Sequence, residues 1–217
     1  MKYDTIIFDL DGTLLNTLDD LADSVNAVMQ KEGYQRRTKD EIREFIGDGV
    51  KTLMERSLPQ GTPEKEILRC LDMFREIYRK NMCNRTKPYE GIPSLLKQLK
   101  EMGIKVCVVS NKLDEATKEI CGLYFREEVD VAIGDNLERK KKPDPDNVYE
   151  ALKQLGADKD KTLFVGDSNV DVITAKNAGL ACVGVTWGYR SRETLQEAGA
   201  DYIIDEPDQL LTLIENR

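Results

Sequence analysis

Two aspartates one residue apart, Asp9 and Asp11, end an apolar run in the segment Ile6-Ile7-Phe8-Asp9-Leu10-Asp11-Gly12-Thr13. Unpaired acids seldom sit against a core, so carboxylates at the point where a buried strand should emerge indicate chemistry rather than packing. Three more polar clusters close or follow apolar runs further on: Ser110-Asn111, Lys142-Pro143-Asp144-Pro145 and Gly166-Asp167-Ser168-Asn169-Val170-Asp171. Carboxylates, a lysine and a hydroxyl, in a chain that contains no histidine, suit phosphoryl transfer assisted by a hard cation. In such a site Asp9 is the expected nucleophile, attacking phosphorus to give an aspartyl phosphate that water hydrolyses. Asp11 is the expected acid and base, protonating the departing alkoxide and later taking a proton from the water. Carboxylates packed around a phosphoryl group would repel it, so positive charge is required. Magnesium is the natural source, with Asp9 and Asp167 as its expected carboxylate ligands and Asp171, one helical turn beyond Asp167 on the same face, expected in the metal's outer shell. Lys142 is the expected point charge on the remaining phosphoryl oxygens, while Ser110 and the backbone of Asn111 are expected to hydrogen-bond them.

Each cluster alone has a plainer reading. Asp-x-Asp is common at turns and caps, Gly-Asp-Ser reads as a turn or an N-cap, and Lys-Pro-Asp-Pro as a stiff loop ahead of a helix. Their succession at the ends of apolar runs makes one site the stronger expectation, because ligands in open parallel sheets bind beyond the carboxyl ends of the strands.

The elements that must bring these groups together are legible as alternation. Thr5 to Phe8 is continuously apolar apart from Thr5, as a strand covered on both faces reads, and the signature recurs at 105–109, 129–133, 162–165, 181–185 and, more briefly, 202–204. Helical periods lie between, among them 94–100 ending at Gly103 and 148–155 ending at Gly156. Strands alternating with helices imply an α/β fold with a doubly wound parallel sheet. The stretch 14–84 breaks the alternation and reads as an all-helical insert, leaving 1–13 and 85–217 as the core. Within the insert, Leu18, Leu21, Val25, Val28 and Met29 line one helix, and Thr38 with Glu41 forms a capping box for a second. Gly47-Asp48-Gly49 interrupts that helix, and Thr62-Pro63 is expected to cap another.

Composition narrows the function further. A chain of 217 residues with 40% hydrophobic content can bury a real core. Its formal charge of -8 argues against nucleic acid as a partner, and its one dense basic run, Arg139 to Lys142, reads as a solvated loop up to Lys141. There is no apolar stretch of bilayer length, and the first residues lead straight into a strand, so a cytoplasmic protein without membrane partners is expected. Five scattered cysteines suggest free thiols rather than disulfides or a thiolate metal site. The lack of histidine removes Ser-His, Cys-His and His-metal mechanisms together.

Together, the Asp9–Thr13 segment, the run ending in Ser110-Asn111, Lys142 before Pro143 and the Asp167–Asp171 segment resemble the haloacid dehalogenase (HAD) superfamily of aspartate-based phosphatases. The likeness is to members with a helical cap inserted after the first motif, on a Rossmann-like core, and it covers essentially the whole chain. It implies that the metal also uses the backbone carbonyl of Asp11. Within the family the text around Asp20-Leu21-Ala22, Phe45 to Val50 and Asp146 is most similar to phosphoglycolate phosphatases. A small phosphorylated metabolite such as 2-phosphoglycolate is therefore the expected substrate, and a monomer or weak homodimer the expected state. The same scaffold also serves pyrophosphatases, nucleotide or sugar phosphate phosphatases and phosphomutases. Thr13 tilts toward hydrolysis, since mutases commonly carry valine or isoleucine there, and Thr13 joins Ser110, Asn111 and Lys142 among the candidate substrate contacts. From the cap, Gly47 and Lys51 are added. Phosphonoacetaldehyde hydrolases use a cap lysine as a Schiff base but lack the second aspartate, so that role is not carried over to Lys51. Asn16-Thr17 departs from the Asp-Ser that relatives often carry, at the hinge into the cap. A receiver-type signalling module also places acids, a hydroxyl and a lysine at strand ends, but such modules are much shorter and have no helical insert.

Overall fold

The computed structural model describes residues 2–215. In chain order, β1 (Thr5–Phe8) and β2 (Leu15–Asn16) precede four helices, α1 (Leu18–Glu32), α2 (Lys39–Phe45), α3 (Val50–Ser57) and α4 (Glu64–Asn81). Then come β3 (Lys87–Pro88), α5 (Ile92–Glu101), β4 (Lys105–Leu113), α6 (Asp114–Tyr124), β5 (Val131–Asp135) and α7 (Asp146–Leu155). The chain continues through β6 (Thr162–Gly166), α8 (Asn169–Ala178), β7 (Ala181–Val185), α9 (Arg192–Ala198), β8 (Tyr202–Ile204) and α10 (Gln209–Glu215). It divides into two compact units, Met1–Leu15 with Pro88–Arg217, and Asn16–Lys87.

The first unit is the doubly wound α/β architecture that the alternation predicts. Six parallel strands pair in the order β5-β4-β1-β6-β7-β8. The chain builds outward from β1 through β4 to β5, then crosses back to β6 on the other side of β1. The carboxyl end of β1 is therefore the switch point, flanked by the ends of β4 and β6, where open α/β sheets bind ligands. All four residues of β1 are buried, as covering both faces of a central strand requires. One face packs Ile7, Cys107 and Phe164 against Val172 and Ala175 of α8 and Leu195 of α9.

Local differences from the sequence reading have physical causes. The strand expected over 129–133 runs Val131–Asp135, because the Asp130 carboxylate turns to accept from the Val106 amide (2.9 Å) and the Lys100 ammonium (2.8 Å). β4 continues through Ser110, Asn111 and Lys112 to Leu113, with its register against β5 shifting between Val109 and Leu113. Such an irregularity adds residues to one strand and re-aims its side chains, and here Ser110, Asn111 and Lys112 are all buried. Two short strands in the neighbourhood of the insert, β2 and β3, pair with each other. At two residues each, they leave no periodic signal.

The second unit is all helical from α1 to α4. Val25, Val28 and Met29 of α1, Ile42 of α2, Leu53 and Met54 of α3, and Leu71 and Phe74 of α4 are buried. Thr38 and Glu41 form the expected capping box on α2. Thr62 is not the cap of α4: its hydroxyl donates to the Pro59 carbonyl, and Pro63 holds the N-cap position. Asp20, 2% exposed, closes this unit by accepting from the backbone amides of Arg85 and Thr86 at 2.9–3.0 Å. None of the five cysteines is in a disulfide, and Cys70, Cys107, Cys121 and Cys182 are buried.

Candidate active site

Asp9 extends β1 by one hydrogen bond, its amide donating to the Val165 carbonyl at 2.9 Å, which aims its side chain off the end of the sheet. The Leu10 carbonyl then takes the amides of Leu14 and Leu15, both at 3.0 Å, closing a tight turn that carries Asp11, Gly12 and Thr13. Gly12 has φ +93°, and a Cβ there would lie 2.7 Å from the Asp167 carboxyl carbon, so this position needs glycine twice over. Thr13 in turn donates its hydroxyl to Asp167 Oδ1 at 3.2 Å.

Asp9, Asp167 and Asp171 present carboxylate oxygens within 4.8 Å of one another, and all three residues are buried. Lys142 lies between two of them, its ammonium 2.8 Å from Asp9 Oδ1 and 2.7 Å from Asp171 Oδ1. Burial raises the Asp9 carboxyl well above the usual carboxylate range, helped by the Asp171 charge and opposed by Lys142. Asp167 is pushed up to about 7 by burial and then by Asp171, with the Tyr189 amide and the Thr13 hydroxyl working the other way. Burial disfavours the Lys142 ammonium, yet Asp171 and Asp9 together hold its pKa above the ordinary lysine value. With all three carboxylates ionised, the single ammonium leaves an excess of two negative charges in a buried space. An all-oxygen donor set with that deficit fits a hard divalent cation such as magnesium.

Asp171 is tied to the start of its own helix as well as to Lys142. Its Oδ2 accepts from the Ser168 amide (3.1 Å) and hydroxyl (2.6 Å), completing a capping box on α8, while Oδ1 takes Lys142. Both oxygens are thus engaged with protein, and Asp171 holds Lys142 and the helix start in place. The N-cap reading of Gly-Asp-Ser and the functional one describe the same residues.

Asp11 turns away from the acidic cluster. Its carboxylate accepts from the Lys112 ammonium at 3.0 and 3.3 Å, and the lysine side chain is 3% exposed. Lys112 has no place in the sequence reading, although it directly follows Ser110-Asn111. A lysine after an apolar run reads as a surface charge, and only the continuation of β4 carries it inward. Ser110 is buried and its oxygen accepts from the Lys112 amide (3.2 Å), while the Asn111 side-chain amide donates to the Lys142 carbonyl (3.0 Å), tying the second cluster to the third. Gly47 and Lys51 belong to the helical unit. Gly47 sits between α2 and α3 at φ +121°, and the Lys51 ammonium pairs with Glu64 (2.7 Å) and Glu55 (3.6 Å). Among the described residues, no helix is long and apolar enough to cross a membrane.

Residues 6–185 match the family model of the haloacid dehalogenase-like hydrolases. The phosphoglycolate phosphatase of Aquifex aeolicus is 34% identical over 216 residues, covering 97% of this chain and 96% of that protein. The phosphoglycolate phosphatase of Haemophilus influenzae (strain 86-028NP) is 31% identical over 98% of this chain and 99% of its own length. A crystal structure from Lactobacillus delbrueckii subsp. bulgaricus, provisionally assigned as a phosphoglycolate phosphatase, superimposes with a TM-score of 0.94 at 33% identity, covering both chains fully. With Asp9, Lys142 and Asp167 gathered at the switch point of a doubly wound sheet, and relatives of this likeness along its whole length, the chain belongs to the haloacid dehalogenase-like hydrolases and is a phosphatase of that family.

Proposed function

We propose that this enzyme is a magnesium-dependent phosphomonoesterase that works through an aspartyl phosphate on Asp9, with a small phosphate ester such as 2-phosphoglycolate as substrate. The reading is carried by the buried meeting of Asp9, Asp167 and Lys142. A carboxylate oxygen of Asp9 forms the bond to phosphorus as the ester oxygen leaves, and the alkoxide takes its proton from Asp11. Water then attacks the phosphoenzyme, giving up a proton to Asp11 and releasing phosphate with Asp9 restored. Asp9 and Asp167, with the carbonyl of Asp11, would hold magnesium, which would supply positive charge to offset the acids and the phosphoryl oxygens. Lys142 supplies a fixed cation beside the nucleophile, Ser110, Thr13 and the Asn111 backbone donate to the phosphoryl group, and Asp171 fixes Lys142. Gly47 and Lys51 of the helical unit remain proposed substrate contacts.

The likeness to the Aquifex and Haemophilus phosphoglycolate phosphatases supports this choice of substrate, and a panel of 2-phosphoglycolate, pyrophosphate, nucleotides and sugar phosphates tests it through release of inorganic phosphate. Highest kcat/KM on 2-phosphoglycolate is expected, and a preference for another member of the panel overturns the substrate. Asp9→Asn should abolish release while the circular dichroism spectrum stays that of the folded protein. Near-normal turnover in that variant overturns the mechanism.

A further inference from the structure

The loop after β7, Thr186-Trp187-Gly188-Tyr189, grips the first and fourth clusters of the site from a part of the chain with no motif of its own. Trp187, the single tryptophan of the sequence, donates its indole N–H to the Thr13 carbonyl at 3.0 Å, across 174 positions. Tyr189 donates its backbone N–H to Asp167 Oδ2 at 2.7 Å, in a buried bond. With the Thr13 hydroxyl on Oδ1, both oxygens of Asp167 are thereby fixed in direction. Between these two donors stands Gly188, where a Cβ would overlap the Asp167 side chain and lie 2.5 Å from the Gly12 carbonyl oxygen. Only a residue without a side chain lets the loop backbone lie this close to both. The base of the loop is anchored independently: Thr186 donates its amide to the Ile204 carbonyl (3.1 Å) and its hydroxyl to Asp205 (2.7 Å), and Arg192 pairs with the same carboxylate at 2.6 Å.

Groups that orient a metal-binding carboxylate commonly control affinity by tenfold to a hundredfold without touching the ion. We propose that Trp187, Gly188 and Tyr189 form a positioning element that sets divalent-cation affinity by locking the direction of the Asp167 carboxylate and the backbone turn at Gly12-Thr13. The inference rests on the proposed cation site at Asp9 and Asp167. Trp187 and the Tyr189 amide act through Thr13 and Asp167, so they are positioning groups and not catalytic ones.

The test is calorimetric titration of the full chain with magnesium chloride alone, in the absence of substrate. The unmodified protein should bind with a measurable Kd. Trp187→Phe keeps an aromatic ring and deletes the indole donor, and it should weaken binding about tenfold while the magnesium-free circular dichroism spectrum stays that of the folded protein. Gly188→Ala, which forces the loop and Asp167 apart, should weaken it by about a hundredfold or more if the variant folds. Equal Kd values for the unmodified protein and Trp187→Phe overturn the positioning role and leave the cation site standing. No heat of binding at two temperatures, with no rise in melting temperature on adding magnesium chloride to the unmodified protein, removes the cation site and this inference with it.

Discussion

Replacing Lys142 with methionine isolates the electrostatics on which the site depends. The substitution keeps the length of the apolar stem and removes only the ammonium, which is 2.8 Å from Asp9 and 2.7 Å from Asp171, with the lysine side chain 2% exposed and the two carboxylates 12% and 0% exposed. Removing one partner of a buried ion pair costs about 3–5 kcal/mol, because the other charge stays buried and uncompensated. At about 2–4 °C per kcal/mol for a chain of this size, Lys142→Met should lower the melting temperature by roughly 6–20 °C near neutral or higher pH in magnesium-free buffer. The pH dependence follows from the sign of the shifts. Asp9 and Asp167 have folded-state pKa values raised above their unfolded ones, so their penalty is full above the folded pKa and fades as pH falls toward the unfolded value. Without Lys142 the Asp9 carboxyl is raised further, so the loss should be smaller at about pH 5 than at about pH 8. Thermal melting followed by circular dichroism at both pH values, with chelator, reads this directly. A drop of less than about 2 °C at the higher pH, or an equal drop at both, would refute the account of a buried acid cluster held by one lysine.

Magnesium should bind the unmodified protein more weakly as pH falls through about 7, where Asp167 takes up a proton, and calorimetry at one pH on either side should show it; equal affinities would contradict the assignment. Asp167→Asn should abolish the rise in melting temperature that millimolar magnesium produces in the unmodified protein, and a retained rise would place the cation elsewhere. Lys112→Met strips Asp11 of its buried partner and should cost about 1.5–3 kcal/mol in urea unfolding, with a change below about 0.5 kcal/mol counting against the pair. Thr38→Ala deletes the capping box of α2 and should cost about 1 kcal/mol, seen as faster amide exchange within α2 itself.

The periodic elements were the most legible part of the chain. Runs such as Ile6-Ile7-Phe8 and Leu163-Phe164-Val165 announce strands covered on both faces, and the loss of alternation after Leu14 announces the helices α1 to α4. Thr38 with Glu41 was legible because a capping box is local. Thr62 was not, since a threonine before a proline has the look of a cap, whatever carbonyl its hydroxyl finally meets. Lys112 and the Trp187-Gly188-Tyr189 loop escaped for a different reason: a lysine just past a strand, or a loop after one, has the same local pattern whether its polar groups turn inward or into solvent.

Taken alone, the amino-acid sequence determined which chemical groups stand at the ends of which strands, because hydrophobic period and turn residues act over a few positions. Which of those groups meet was decided only by the tertiary structure. The order β4-β1-β6 sets Asp9 between the ends of its two neighbours, and the register shift in β4 carries Lys112 to Asp11. The return of the chain after β7 brings an indole and an amide to Thr13 and Asp167. Pairings over such separations arise from strand order and packing of the whole unit, which no local pattern encodes.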